Sequence, residues 1–328
     1  MRRKRSGAII IKELKPKPLK LSVLDLVPVY DNRGDTYALE KAAELARTAE
    51  ELGYTRYWIA EHHGMPQLAC PSPEVLLAHI GARTKRIRIG SGALLLPHYK
   101  PLKVAESFRM LASLYPGRID LGIGRAPGGD AHVSMALSGN FIENVSQMPG
   151  KLNDISLLLQ DSFTYEGEPV GARPNPPVQP EVWLLGTNKR SAEYAAAFGM
   201  GYVFGQFMSD TGAEEVLRTY RESFVPSPLC PEPRMIVTIG AVCAATDEEA
   251  ARIVRSGQSL FRQEMPNGNT ETYSERKLLV GTAESIITRL HELSVRYGVN
   301  EFMLVTTVPD YEQRLRSYER LAQYLNLT

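Results

Sequence analysis

The chain has 328 residues, 43 % hydrophobic and 23 % charged, enough for one large α/β domain or two ordinary ones with a sizeable core. A formal net charge of +1 gives no global field to draw it to nucleic acid or anionic lipid. Cys70, Cys230 and Cys243 are widely spaced, form no CxxC or metal pattern, and read as free thiols in a reducing compartment.

Residues 1–20 form a basic arm, from Met1-Arg-Arg-Lys-Arg5 through Lys15-Pro-Lys-Pro18. Ile9 to Ile11 is too short for the apolar region of a signal peptide, so the arm is either a mobile tail or a nucleic-acid or membrane arm. No stretch approaches the roughly 20 apolar residues of a membrane span. The expected location is the cytoplasm.

From Leu21 to residue 328 the pattern is that of a single domain. Leu21 to Val27 reads as a buried strand. Asp35 or Thr36 is a candidate cap for a helix in which Leu39, Ala42, Leu45, Ala46, Ala49 and Leu52 recur at helical spacing, stopped by Gly53. Arg56 to Ala60 is a second strand and runs into Glu61-His62-His63. A helix over Pro73 to Thr84, a strand over Arg86 to Leu96 and a helix over Leu102 to Tyr115 follow. Ile119 to Gly124 is the fourth strand, ending at Arg125 and a Pro127-Gly-Gly breaker.

Strand and helix thus alternate every 32 residues or so, roughly the spacing of repeated β–α units around a parallel sheet. Residues 131–150 read as irregular, Leu152 to Leu159 as helical, and Pro169 to Pro180 as an ordered loop. Further strands are expected at Val182 to Leu185, Gly201 to Phe204, Ile236 to Ala245 and Glu301 to Val305. Helices are expected at Ala192 to Phe198, Thr211 to Phe224, after a cap at Thr246 or Asp247, at Thr282 to Tyr297 and at Tyr311 to Leu325. Residues 256–277 lack a period and read as an insertion. Eight strands point to a (β/α)8 TIM barrel; an open doubly wound sheet is the runner-up.

In such a barrel three unusual strand ends meet on one face. Thr187, Asn188 and Ser191, after Gly186, stand where a helix begins, either as a plain cap or, with Arg125, as a phosphate site. Neighbouring His62 and His63 point to opposite sides of a continuing strand, so one at most faces a pocket. With no HxH or HExxH pattern, no metal is expected; one histidine serves as donor or general acid/base titrating near neutrality, or the two are a satisfied structural pair. Glu61 orients a histidine or pairs with an arginine. Gly92, Ala93, Gly122 and Gly124 leave backbone open to a flat ring. Gly122 and Gly124 do not make a dinucleotide fingerprint, because Pro127 follows and no helix starts there.

Five segments, in this order, resemble the bacterial luciferase-like, flavin-dependent monooxygenases. They are Tyr57-Trp-Ile-Ala-Glu-His-His63, Arg88-Ile-Gly-Ser-Gly-Ala-Leu-Leu-Leu-Pro97, Gly117-Arg-Ile-Asp-Leu-Gly-Ile-Gly-Arg125, Leu185-Gly-Thr-Asn-Lys-Arg-Ser-Ala192 and Glu301-Phe-Met-Leu-Val-Thr306. The resemblance covers Leu21 to Leu325 and implies a luciferase-like barrel with an insertion late in the chain. It implies FMN at the C-terminal strand ends, with Arg125, Gly186, Thr187, Asn188 and Ser191 around its phosphate. It also implies His62 as the catalytic residue, Gly92-Ala93 at a strand position where the family often has a non-proline cis peptide, and a homodimer. The expected function is a monooxygenase using O2 and reduced flavin, supplied by a separate NAD(P)H reductase. An F420-dependent reductase and a flavin-binding protein without turnover are the alternatives. Gly124 stands where luciferase itself has a cysteine, which argues against light emission.

Overall fold

The computed structural model describes residues 18–30, 33–261, 277–308 and 310–327, with backbone alone for 257–261. Of the expected arm over 1–20, residues 1–17 lie outside the described residues, and of the expected insertion over 256–277, residues 262–276 do; residues 256–261 instead continue the helix that starts at Asp247.

Eight parallel strands close into a ring: β1 (Lys20–Asp25), β2 (Arg56–Ile59), β3 (Arg88–Ser91), β4 (Ile119–Gly124), β5 (Glu181–Gly186), β6 (Gly201–Gly205), β7 (Met235–Cys243) and β8 (Glu301–Val305). The pairing runs in sequence order, and β8 returns to β1 with Glu301 beside Lys20. The closed ring excludes the open doubly wound sheet. Two short strands lie off this path: Leu94–Leu95 pairs with β4, and Leu278–Gly281, absent from the sequence reading, lines up parallel to β7.

The helices are α1 (Gly34–Glu51), α2 (Pro73–Gly81), α3 (Pro101–Leu114), α4 (Ala131–Ser138), α5 (Phe141–Ser146), α6 (Met148–Leu159), α7 (Lys189–Ala197), α8 (Ala213–Ser223), α9 (Asp247–Phe261), α10 (Ala283–Tyr297) and α11 (Tyr311–Leu325). Most pack one apolar stripe on the strands, as their period requires. Two further expectations need correction. Residues 131–150 are not irregular: Asp130 accepts a hydrogen bond from the Val133 N–H and Asn140 one from the Glu143 N–H, capping α4 and α5, with Gly139 at φ +71° between them. Neither Asp35 nor Thr36 caps α1, whose N-cap, Arg33, makes no side-chain capping bond. Thr246 does cap α9, through the Glu249 N–H. No described helix is long and apolar enough to cross a membrane.

Inside the ring, side chains from alternate positions stack in layers. Charge fills the floor. Arg56 reaches Asp120 at 2.8 Å, Glu301 at 2.8 Å and Glu181 at 3.1 Å; Arg88 also grips Asp120, and Arg234 holds Glu181 at 2.8 Å. Burial pushes the Asp120 carboxyl up, but Arg56 and Arg88 outweigh it and hold the group below the usual carboxylate range. Above the floor, Trp58 and Trp183 meet edge to face, with centroids 5.9 Å apart. A Cβ on Gly90 would lie 2.5 Å from Asp120 O and 2.9 Å from Trp58 Nε1, and one on Gly201 would lie 2.4 Å from the Trp183 ring. Glycine on the inner wall therefore makes room for indole.

Candidate active site

Beyond the tryptophans, the C-terminal ends of β2 to β6 form a continuous arc. The Gly92 N–H donates to Ile59 O at 2.7 Å, joining the ends of β2 and β3. The Gly92–Ala93 peptide is cis. A Cβ on Gly124 would come 2.8 Å from Ala93 Cβ, and one on Gly122 would come 2.0 Å from Ser91 O. The openness read into these glycines is thus taken up by close contact between β3 and β4. The missing thiol at Gly124 has a local cause: a side chain there collides with Ala93.

The two histidines after β2 have different surroundings. His63 Nε2 is 2.7 Å from Glu61 Oε1, and Tyr99 donates to the same oxygen at 2.9 Å. The other Glu61 oxygen accepts the Leu95 N–H at 2.9 Å. Burial raises the Glu61 carboxyl against the opposing pull of those three donors. Glu61 therefore orients a histidine, as one of its two expected roles. His62 continues the inward parity of Trp58 and Ala60. Its Nδ1 is buried without a hydrogen-bond partner among the described residues. Burial, then the neighbouring His63, lowers its pKa to about 4. The expected titration near neutrality is not met: at pH 7 His62 is a neutral imidazole.

The lip of β4 is anchored to this cluster. The His63 N–H donates to Gly128 O at 2.7 Å. His98 Nε2 stands 2.9 Å from Pro127 O, which can only accept, so that nitrogen donates and Nδ1 accepts from the Ser138 hydroxyl at 2.9 Å. Val133 of α4 packs onto Gly64, where a Cβ would stand 2.5 Å from it. These contacts hold α4 close beside His63.

The lip of β5 carries the other half. β4 and β5 pair with Ile123 beside Leu184, and Arg125 follows two residues later, close enough to the lip for its charge to act on Tyr202. Arg125 meets no carboxylate and no hydrogen-bond acceptor among the described residues. Asn188 caps α7 by accepting the Ser191 N–H at 3.2 Å, and the Ser191 hydroxyl donates back to Asn188 O at 2.6 Å. A Cβ on Gly186 would fall 2.0 Å from Ser191 Oγ, so the turn closes only over glycine. Thr187 is partly exposed, its carbonyl accepting from Ser209 at 2.8 Å. The cap reading is therefore realised at Asn188 and Ser191, and Arg125 stands next to that turn.

Tyr202 of β6 joins this group and was not singled out in the sequence. Its hydroxyl is 3.0 Å from Ser191 Oγ and 3.4 Å from Asn188 O, and the Arg125 charge acts on it. The only signal was a polar tip in an otherwise apolar strand. Tyr99 and His98 were missed likewise, lying in a turn after Pro97.

Chemically, the arc offers a cation, two hydroxyls and the N–H groups of a helix first turn at one end, and a neutral imidazole at the other. Among the described residues no group of three or more His, Cys, Asp or Glu is placed to hold a metal ion.

Comparison with known proteins agrees with this geometry. Residues 21–301 match the luciferase-like monooxygenase family. The chain is 39 % identical to YceB of Bacillus subtilis (strain 168), over 93 % of this chain and 99 % of that one. It is 33 % identical to the N-acetyl-S-alkylcysteine monooxygenase of the same organism, over 93 % and 97 %. The crystal structure of apo-MsnO8 superposes with a TM-score of 0.83 at 36 % identity, covering 94 % of this chain and 99 % of that one. The chain belongs to the luciferase-like monooxygenase family.

Proposed function

We propose that the protein is an FMN-dependent monooxygenase that uses reduced flavin and O2 to oxidise a small organic substrate. The observation that carries this is the meeting of Arg125, Tyr202 and Ser191 at one rim. Arg125 is a cation with no anion of its own among the described residues, and the Lys189 and Arg190 N–H groups that open α7 have no intrahelical acceptor. A phosphate monoester fits that donor set, with Arg125, Thr187 and Ser191 holding it and Gly186 keeping the turn tight. Gly92 and Ala93 would lie along the isoalloxazine.

When bound, FMN supplies the two-electron chemistry through which O2 is activated. His62 is neutral at pH 7, so its role is to donate or accept one hydrogen bond through Nδ1, the buried nitrogen without a protein partner. Glu61, His63 and Tyr99 fix the backbone from which His62 projects. The α4 segment, tied down through His63 and His98, restricts access of water to the rim.

The reduced flavin would come from a separate reductase, and the active form would be a cytoplasmic homodimer. The relative named for N-acetyl-S-alkylcysteine makes small thioethers the first substrates to screen. The test is reoxidation of chemically reduced FMN by O2, followed by stopped-flow absorbance with wild type, His62→Ala and no protein. Reoxidation altered by wild type and changed again by His62→Ala supports the proposal. Identical traces from both proteins would point to a flavin-binding protein without turnover.

A further inference from the structure

We infer that Tyr202 determines selectivity for a phosphorylated over an unphosphorylated flavin, by donating its hydroxyl proton to Ser191 so that the proton of Ser191 is free for a phosphate oxygen. This rests on the reading of the β5–α7 turn as the cofactor's phosphate site. Tyr202 needs no contact with the cofactor; it is a positioning residue.

The count of protons around Ser191 Oγ leads to this assignment. That hydroxyl has one proton, and Asn188 O takes it at 2.6 Å. The Tyr202 hydroxyl, 3.0 Å from Ser191 Oγ, is then the donor in that contact. The Asn188 N–H lies 3.4 Å from the same oxygen, a much weaker approach. Asn188 O also receives the Ala192 N–H at 3.3 Å. That carbonyl therefore keeps a donor when the Ser191 proton turns away to an anion. The chain becomes Tyr202 to Ser191 to phosphate, each bond strengthening the next.

The surroundings keep Tyr202 fit for this. Burial drives its phenol well above the usual tyrosine value, against the smaller opposing effects of Ser191 and Arg125. It is a donor across the whole working range. The ring stacks on Tyr220 at 5.5 Å, which fixes the direction of the hydroxyl. Tyr202 is fully buried, so bulk water does not replace its proton.

The experiment measures Kd for FMN and for riboflavin by flavin fluorescence in wild type, Tyr202→Phe, Ser191→Ala and the double variant. The wild type should favour FMN, and Tyr202→Phe should reduce the FMN-to-riboflavin ratio about fivefold, the effect of one neutral hydrogen bond. In the Ser191→Ala background the same substitution should leave the ratio unchanged. An unchanged ratio in Tyr202→Phe alone, or an equal loss for both flavins, would overturn the inference while leaving the phosphate site standing. A wild type that does not distinguish the flavins would overturn the phosphate site and this inference with it.

Discussion

His63 Nε2 lies 2.7 Å from Glu61 Oε1, and this contact turns His63 away while its neighbour His62 takes the inward side. Glu61 also receives the Leu95 N–H and the Tyr99 hydroxyl. Glu61→Ala leaves three buried donors without an acceptor and should cost about 2–4 kcal/mol. Glu61→Gln keeps an acceptor oxygen and should cost less. Urea unfolding of the two variants gives the comparison.

His62 gives a pH prediction. Its pKa falls from 6.5 in the unfolded chain to about 4 in the fold. Below pH 6.5 the unfolded chain binds more protons at this site, so stability falls as pH drops from 6.5 towards 4 and levels off below that. The full contribution is about 3 kcal/mol. His62→Gln should show a shallower loss over that window in thermal melts at stepped pH. A parallel decline in both proteins would count against a buried neutral imidazole.

Arg125→Gln removes the cation beside the α7 turn. FMN affinity should drop about 10- to 100-fold, the worth of a charge-assisted bond, with riboflavin affinity little changed. Unfolding in the absence of flavin should be nearly unaffected, because Arg125 has no hydrogen-bond or ion-pair partner among the described residues to lose. Isothermal titration with each flavin measures the split.

On the barrel floor, Arg56 answers Asp120, Glu181 and Glu301 together. Arg56→Met takes from buried Glu301 its one cation among the described residues and leaves Asp120 and Glu181 with Arg88 and Arg234 alone, and should cost about 3–5 kcal/mol. The loss should shrink at lower pH as the carboxyls take up protons. Denaturation at neutral and mildly acidic pH shows whether it does.

The barrel was legible because each of its strands is a short apolar run between turn signals, from Leu21 to Val305. The α4 and α5 helices were not, because Met135, Leu137 and Ile142 are exposed and present no buried stripe. Leu278–Gly281 is only four residues long, beside a stretch without a period.

At the site, Arg125 and the Gly186-to-Ser191 turn could be read from strand ends. The choice of His62 over His63 came from the family resemblance and not from the strand pattern, since physically it depends on Glu61 and Tyr99 meeting across two loops. The glycines misled: Gly122 and Gly124 answer to Ser91 and Ala93 at the end of the neighbouring strand, a contact that no local pattern encodes. Arg56, Asp120, Glu181 and Glu301 each look like ordinary charges until the register stacks them.

Anaerobic titration of the protein with reduced FMN and, separately, with reduced F420 tests the central claim most directly. Saturable binding of FMN that is weakened by Arg125→Gln is the predicted result. Tight F420 binding with none for FMN would contradict it and assign the same rim to a hydride-transferring reductase.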